Sequence, residues 1–382
     1  MNRTIAMKAQ QLVVYREADR YCSFPHVVYL PNGRLAVTFR RASKFSADAA
    51  KHGLATHHDP DSSIEMMESP DEGMTWPRES LRTVHKSRYG VNDPSFTVLA
   101  DGTLLNRFVA LEIKRTREVF TPPAKIFSHR ADHGLVASVV GNLIVQSRDS
   151  GKTWQEVGVA DVPAIGPSCS RDPIVEMPDG AWLMPVYTGA PQRSDIAWVI
   201  RSFDRGRTWC EPIRIMSDEA GRFSQLQGIN YNETSLLHLG NGEMLAVVRA
   251  DASFHTEDEF MPVGGVGDLC TARSFDGGLS WTAPRRTGIW GQPGSLLALR
   301  DGRLLCTYGY RRKPFGVRCC VSRDRGANWD VKGEIMVRDD SLTWDCGYPF
   351  TIELNGGELF TVYYIVDGDG LRYVAATRWT LA

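Results

Sequence analysis

The sequence has no long block of either charge: 44 Lys and Arg stand against 45 Asp and Glu, interspersed along 382 residues. That excludes a nucleic-acid groove or a basic membrane-binding face as the basis of function. The opening residues, MNRTIAMKAQQLVVYREADRY, hold no apolar run long enough for a secretory signal or a membrane span. The expected location is therefore cytoplasmic, or secreted or periplasmic if a leader has been trimmed. Eight cysteines, at 22, 169, 210, 270, 306, 319, 320 and 346, include no pair spaced two residues apart as a metal site would have it. Several fall in apolar strand-like runs such as LLCTYG and RCCVS, which favours buried free thiols over one or two disulfides, and a reducing compartment. His57 and His58, followed by Asp59, make poor ligand geometry without distant partners, so no metal is expected. The glycine-rich MPVGGVGD (261–268) lacks the strand-to-helix context of a phosphate loop and reads as a blade-edge turn. No cofactor is implied.

What the sequence does have is repetition. SPDEGMTW (69–76), SRDSGKTW (147–154), SFDRGRTW (202–209), SFDGGLSW (274–281) and SRDRGANW (322–329) keep Ser, Asp, Gly and Trp in register while the residues between them drift. A second pattern runs out of phase with the octets: a few polar residues, often Pro, then an apolar stretch, an x-Gly turn and another apolar stretch. It occurs six times, at 23–41, 92–109, 170–187, 231–249, 291–309 and 346–364. Each copy reads as two β-strands joined by an Asn-Gly, Asp-Gly or Gly-Gly turn.

Each of the first five hairpins is followed by a strand, an octet and another strand. Two plus two strands make an antiparallel unit of about 65 residues, and six such sheets set radially form a β-propeller. The expected architecture is all-β, a single six-bladed propeller over residues 1–382, with an N-terminal strand at about 10–17 closing the last blade. The octet is then a structural turn: Asp accepts backbone hydrogen bonds, Gly takes a positive φ and Trp packs beneath.

A propeller places the starts of its innermost strands around one mouth. The residues that precede the Pro column of the six hairpins are Phe24, Asp93, Asp172, Glu233, Gln292 and Tyr348. Five of the six are polar, which points to a shared ligand pocket. His26, His238 and His255 read as ordinary strand or loop residues.

These octets resemble the Asp-box of the sialidase (neuraminidase) superfamily, and five of them over six hairpins resemble its six-bladed propeller along the whole chain. Such a resemblance implies a Tyr–Glu pair, an aspartic acid on a first-blade loop and three arginines that grip the sugar carboxylate. Residue by residue, Glu233 matches the fourth-blade glutamate, Arg249 the second arginine, Tyr348 the sixth-blade tyrosine, and FRR (39–41) a first-blade arginine run, so Arg40 or Arg41. The phenol would be the nucleophile and Glu233 its base, a pairing that avoids charge repulsion with a substrate carboxylate. The acid/base would come from the loop 44–63, as Asp59 or Asp61 with Asp48 behind, and His58 lies beside it as a substrate-binding candidate.

The sequence also departs from the family. Ser23 stands where the first clamp arginine would be, and Arg20 is out of register. For the third arm the region after the fifth-blade hairpin offers Arg311, Arg312 and Arg318. Asp93, Arg171, Asp172 and Gln292 look suited to sugar hydroxyls. The implied function is a sialidase-like retaining exo-glycosidase whose partner is the terminal acidic sugar of a glycan. The alternatives are a related hydrolase or lyase for another acidic or plant-type glycan, and a non-catalytic glycan-binding propeller.

Overall fold

The computed structural model describes residues 4–5, 7–44, 47, 59–86, 90–115, 135–190, 193–218, 229–252 and 267–381. They form six antiparallel sheets set around an axis. The first holds Tyr21–Tyr29, Leu35–Ala42, Ser63–Ser69 and Arg82–Lys86; the second Val91–Val98, Leu104–Arg115, Leu135–Ser147 and Gln155–Ala160. The third runs from Val175–Glu176 to Ile213–Met216, and the fourth from Ile229–Gly240 to Arg285–Trp290. The fifth runs from Gly294–Ala298 to Ile335–Ser341, and the sixth holds Gly347–Glu353, Leu359–Val366 and Arg372–Thr380. First strands pack against first strands of neighbouring sheets, which identifies them as the innermost. This is a six-bladed β-propeller.

The N-terminal strand occupies Met7–Tyr15, beginning and ending earlier than the expected 10–17, and pairs antiparallel with Arg372–Thr380. It supplies the fourth strand of the last sheet, so that sheet joins the two ends of the chain. Each blade has the expected four antiparallel strands, and Thr4–Ile5 adds a short parallel one to Ile335–Ser341 of the fifth sheet. Two residues carry no sequence pattern that could have announced it.

Cohesion lies between the blades. Six apolar clusters each straddle two adjacent sheets, and one of them packs Val37 and Phe39 of the first sheet against Phe360 and Val362 of the sixth, closing the ring. All eight cysteines are free thiols, seven of them buried, and Cys210 is exposed. Residues 261–266 of the glycine-rich stretch lie outside the described residues.

The octets sit at these seams. In the first, Ser69 Oγ accepts from the Gly73 amide at 2.8 Å, and Asp71 Oδ1 accepts from the Thr75 amide at 2.8 Å. The chain reverses through two consecutive left-handed residues, Glu72 (φ 53) and Gly73 (φ 88). Glutamate tolerates that backbone at some strain. At position 73 there is a second demand, because a Cβ would lie 2.4 Å from Phe360 of the neighbouring blade. The octet glycine therefore permits both the turn and the close approach of two sheets.

Gly73→Ala is accordingly expected to lower stability by about 1–2 kcal/mol for the left-handed backbone alone, with more from the Phe360 collision. Urea unfolding would show it as a lower midpoint, whereas Met74→Ala, at an exposed neighbouring position, leaves the midpoint within experimental error. Equal midpoints for the two variants would contradict the seam role.

Candidate active site

The residues around the axis are aimed by a recurrent backbone irregularity. Phe24 (φ 54), Asp93 (φ 47), Glu233 (φ 29) and Tyr348 (φ 50) all adopt left-handed conformations. At each of them strand register slips: between Ser23 and His26, Asn92 and Ser95, Asn232 and Ser235, and Gly347 and Phe350. Each is a bulge at the start of an innermost strand, the kind of feature that re-aims a side chain out of its sheet. Asp172 and Gln292 occupy the same column but precede the short strands Val175–Glu176 and Gly294–Ala298, and have no such bulge.

Tyr348 and Glu233, 115 residues apart in sequence, meet: the phenol donates a hydrogen bond to Glu233 Oε1. The other carboxylate oxygen accepts from Arg249 Nη1 at 2.6 Å. Burial pushes the Glu233 carboxyl upward, but Arg249 and the two hydrogen bonds outweigh it and hold the group below the ordinary range. The Tyr348 phenol is driven well above its ordinary value by burial and by the adjacent Glu233 charge. The proton therefore resides on the phenol and the negative charge on the carboxylate. Arg249 is in turn bonded to Asp251, Nε at 2.9 Å and Nη2 at 2.6 Å.

Arg311 lies with its guanidinium carbon 5.6 Å from the centroids of both Tyr348 and Trp344. Beneath Tyr348 is a cavity of about 10 Å³, enough for one water, lined by Phe24, His26, Asp93, Arg171 and Asp172 among others. Burial and the nearby Glu233 charge raise Asp93 to about 7. Its Oδ1 and the Nε2 of His26 are buried without a hydrogen-bond partner. Burial, then Arg171 and Arg107, depress the His26 imidazole, which is accordingly neutral. Gln292 is buried with neither end of its carboxamide hydrogen-bonded.

Other candidates are sorted by the fold. Arg40 and Arg41 are adjacent in one strand and so face opposite ways. Arg40 is fully buried, donates to the Val91 carbonyl at 3.0 Å and feels the Asp59 charge. Arg41 is paired instead with Glu17 at 2.9 Å. Asp59 is buried and accepts from the Ser43 amide and hydroxyl at 2.9 and 2.7 Å, whereas Asp61 is paired with Lys86 at 3.3 Å. Asp48, His57, His58 and His255 lie outside the described residues.

Arg171, which lines the cavity, is also bonded to the backbone. It donates to the carbonyls of Gly294 at 2.7 Å and Pro349 at 2.6 Å, linking the third blade to the fifth and sixth. Arg20 stays with Glu17 at 3.9 Å, and Arg318 is buried in the fifth blade against Glu334 at 2.6 Å. Arg312 lies over Trp290, its guanidinium carbon 3.8 Å from the ring centroid.

Sequence reasoning took His26 for an ordinary strand or loop residue and passed over Asp251 and Asp195. Asp251 is two residues beyond Arg249 in one strand, a spacing that shares a face and could have been noticed. Asp195, bonded to Asn232 at 3.0 Å and lifted to about 6 chiefly by burial, carried no sequence signal. Among the described residues no three His, Cys, Asp or Glu side chains converge as a metal set, and no helix is long and apolar enough to cross a membrane.

The family model of the BNR repeat-like domain matches residues 126–361. No curated protein matches the chain. Among solved structures, a protein of unknown function from Dyadobacter fermentans is 27% identical, with a TM-score of 0.79 over 98% of this chain and 99% of its own. The Hadza microbial sialidase Hz136 is 15% identical with a TM-score of 0.63, over 94% of this chain and 66% of its own. An alpha-L-arabinanase of Penicillium chrysogenum is also 15% identical, with a TM-score of 0.61 over 96% and 97%. The last two likenesses establish a fold shared with glycoside hydrolases.

The raised Asp93 carboxyl makes stability depend on pH. In the folded chain it stays protonated up to about 7, whereas an unfolded aspartate ionises near 3.9. Across that window the folded form binds more proton, so this contribution is complete below about pH 4 and fades as pH rises through 7. Asp93→Asn removes the dependence, and the difference in unfolding free energy between wild type and variant should shift in the variant's favour from pH 4 to 7. A difference that is flat with pH would refute the assignment.

Proposed function

Since the chain belongs to the BNR repeat-like family, we propose that it is a retaining exo-glycosidase that releases a terminal acidic sugar of the sialic acid type. The observation that carries this reading is the buried hydrogen bond from the Tyr348 phenol to an ionised Glu233 at the axis of the propeller. A neutral phenol beside a carboxylate is suited to attack an anomeric centre that itself bears a negative group.

In the first step Tyr348 Oη bonds to the anomeric carbon as its proton passes to Glu233. The glycosidic bond breaks and the leaving oxygen takes a proton from an aspartic acid of the 48–61 segment. Of the two described aspartates there, Asp59 beside Arg40 suits this role better than Asp61, which is occupied by Lys86. In the second step water attacks the anomeric carbon and gives its proton to that aspartate, while the phenolate leaves and recovers its proton from Glu233. Arg249 and Arg311 hold the substrate's carboxylate; Asp93, Asp172 and Gln292 meet its hydroxyls. Arg40 supports the acid/base.

A second reading, a hydrolase of a different glycan at the same mouth, is favoured by Ser23. The serine occupies the position of the first arginine arm, and a bidentate arginine is the strongest selector for a carboxylate.

A fluorogenic panel of sialosides, uronides and neutral glycosides separates these. Hydrolysis of sialosides, abolished in Tyr348→Phe and reduced about 10²- to 10⁴-fold in Glu233→Gln, is the expected result. Turnover confined to other sugars selects the second reading. Full activity of Tyr348→Phe on any substrate overturns the nucleophile.

A further inference from the structure

The consecutive residues Arg311 and Arg312 are turned to different places. Arg311 goes inward over Tyr348; Arg312, exposed, lies over Trp290, its guanidinium carbon 3.8 Å from the ring centroid. Trp290 ends the outermost strand of the fourth blade, two residues before the mouth residue Gln292, so this contact is on the rim. The rim is built in layers. Trp290 stands edge-on to Tyr310 at 5.6 Å and 79°, and the buried Arg318 backs Tyr310 at 3.6 Å while its own charge is met by Glu334.

A guanidinium set over an aromatic face keeps its in-plane N–H groups available, the geometry in which arginine takes a planar or tetrahedral oxyanion in two-pronged fashion. Among the described residues Arg312 has no hydrogen bond and no ion pair. Three other arginines close to the mouth donate to protein: Arg40 and Arg171 to carbonyls, Arg249 to two carboxylates. A guanidinium held against an aromatic ring, unpaired among the described residues and one residue along the chain from Arg311, is suited to hold a ligand.

We infer that the rim formed by Trp290 and Arg312 is a leaving-group subsite for an anionic sugar, one that carries a sulfate ester or a carboxylate on the residue next to the terminal one. This rests on the reading that a terminal glycoside is cleaved at Tyr348. The bond broken and the proton transfers are unchanged; the rim adds affinity for the departing residue.

The test uses the intact protein, with Arg312→Gln and Tyr348→Phe variants. Titration calorimetry with 6-sulfo-N-acetylglucosamine, glucuronic acid and N-acetylglucosamine should show the two anionic sugars binding wild type more tightly. Arg312→Gln should weaken them about tenfold, as expected for a lost charge-assisted hydrogen bond, and 0.5 M salt should have the same effect. Preference for only one anion narrows the ligand and supports the subsite. For the glycoside that the panel identifies, Arg312→Gln should raise KM for substrates with an anionic leaving residue and leave kcat, and neutral aryl glycosides, unchanged. Equal binding of all three sugars, or an anion preference that survives in Arg312→Gln, overturns the inference. Tyr348→Phe keeps the preference while losing turnover. Anion preference in a wild type that hydrolyses nothing therefore retains the subsite and removes the glycosidase reading.

Discussion

A carboxylate buried at the axis of the propeller would ordinarily take up a proton, because a lone charge in a dry interior is untenable. Glu233 stays ionised through Arg249, and the rest of the centre follows from that. An ionised Glu233 can accept the Tyr348 proton donor, and its charge drives that phenol further toward the neutral form. It also raises Asp93 across the cavity, after burial. Arg249 in turn is held by Asp251 on its other edge. One salt bridge thus distributes protons over groups from the second, fourth and sixth blades.

These groups meet because four innermost strands begin with the same left-handed bulge. Such conformations cost about 1–3 kcal/mol each, and a bulge also leaves backbone carbonyls without ladder partners. The buried arginines answer the second problem. Arg107 donates to the carbonyl of Asp93, itself a bulge residue, and to those of Ser170 and Asp172. Arg171 donates to the carbonyl of Pro349, the residue after Tyr348. Arg107 and Arg171 therefore hold up the backbone irregularity that aims the acidic and phenolic side chains.

This division explains what could be read in the sequence. The octets and the x-Gly hairpins announce themselves because turn chemistry is local: Asp, Gly and Ser are required within a few residues of one another. The mouth column was legible for the same reason, since each member precedes a Pro or its equivalent. The bonds that Arg171 makes were not, because its partners are carbonyls of other blades and leave no trace in residue type. Arg40 and Arg41 could not be separated without the strand register, which assigns one to the Val91 carbonyl and the other to Glu17. Thr4–Ile5, a two-residue strand paired to the fifth blade, had no pattern to detect.

The neighbourhood of Ser23 also sets the phenol. Next to the serine, Phe24 packs edge-on to Tyr348 at 4.7 Å and 69°, and to Tyr364 at 5.4 Å and 70°. Tyr364 is anchored by Asp345, which also accepts from Tyr21 at 2.8 Å and Arg372 at 3.0 Å. An aromatic wall with a buried ionic footing thus fixes the orientation of the Tyr348 ring. Edge-to-face contacts of this kind are directional and insensitive to protonation. The position of the phenol is set by packing and its proton affinity by Glu233 and Arg249, so the two properties can vary independently.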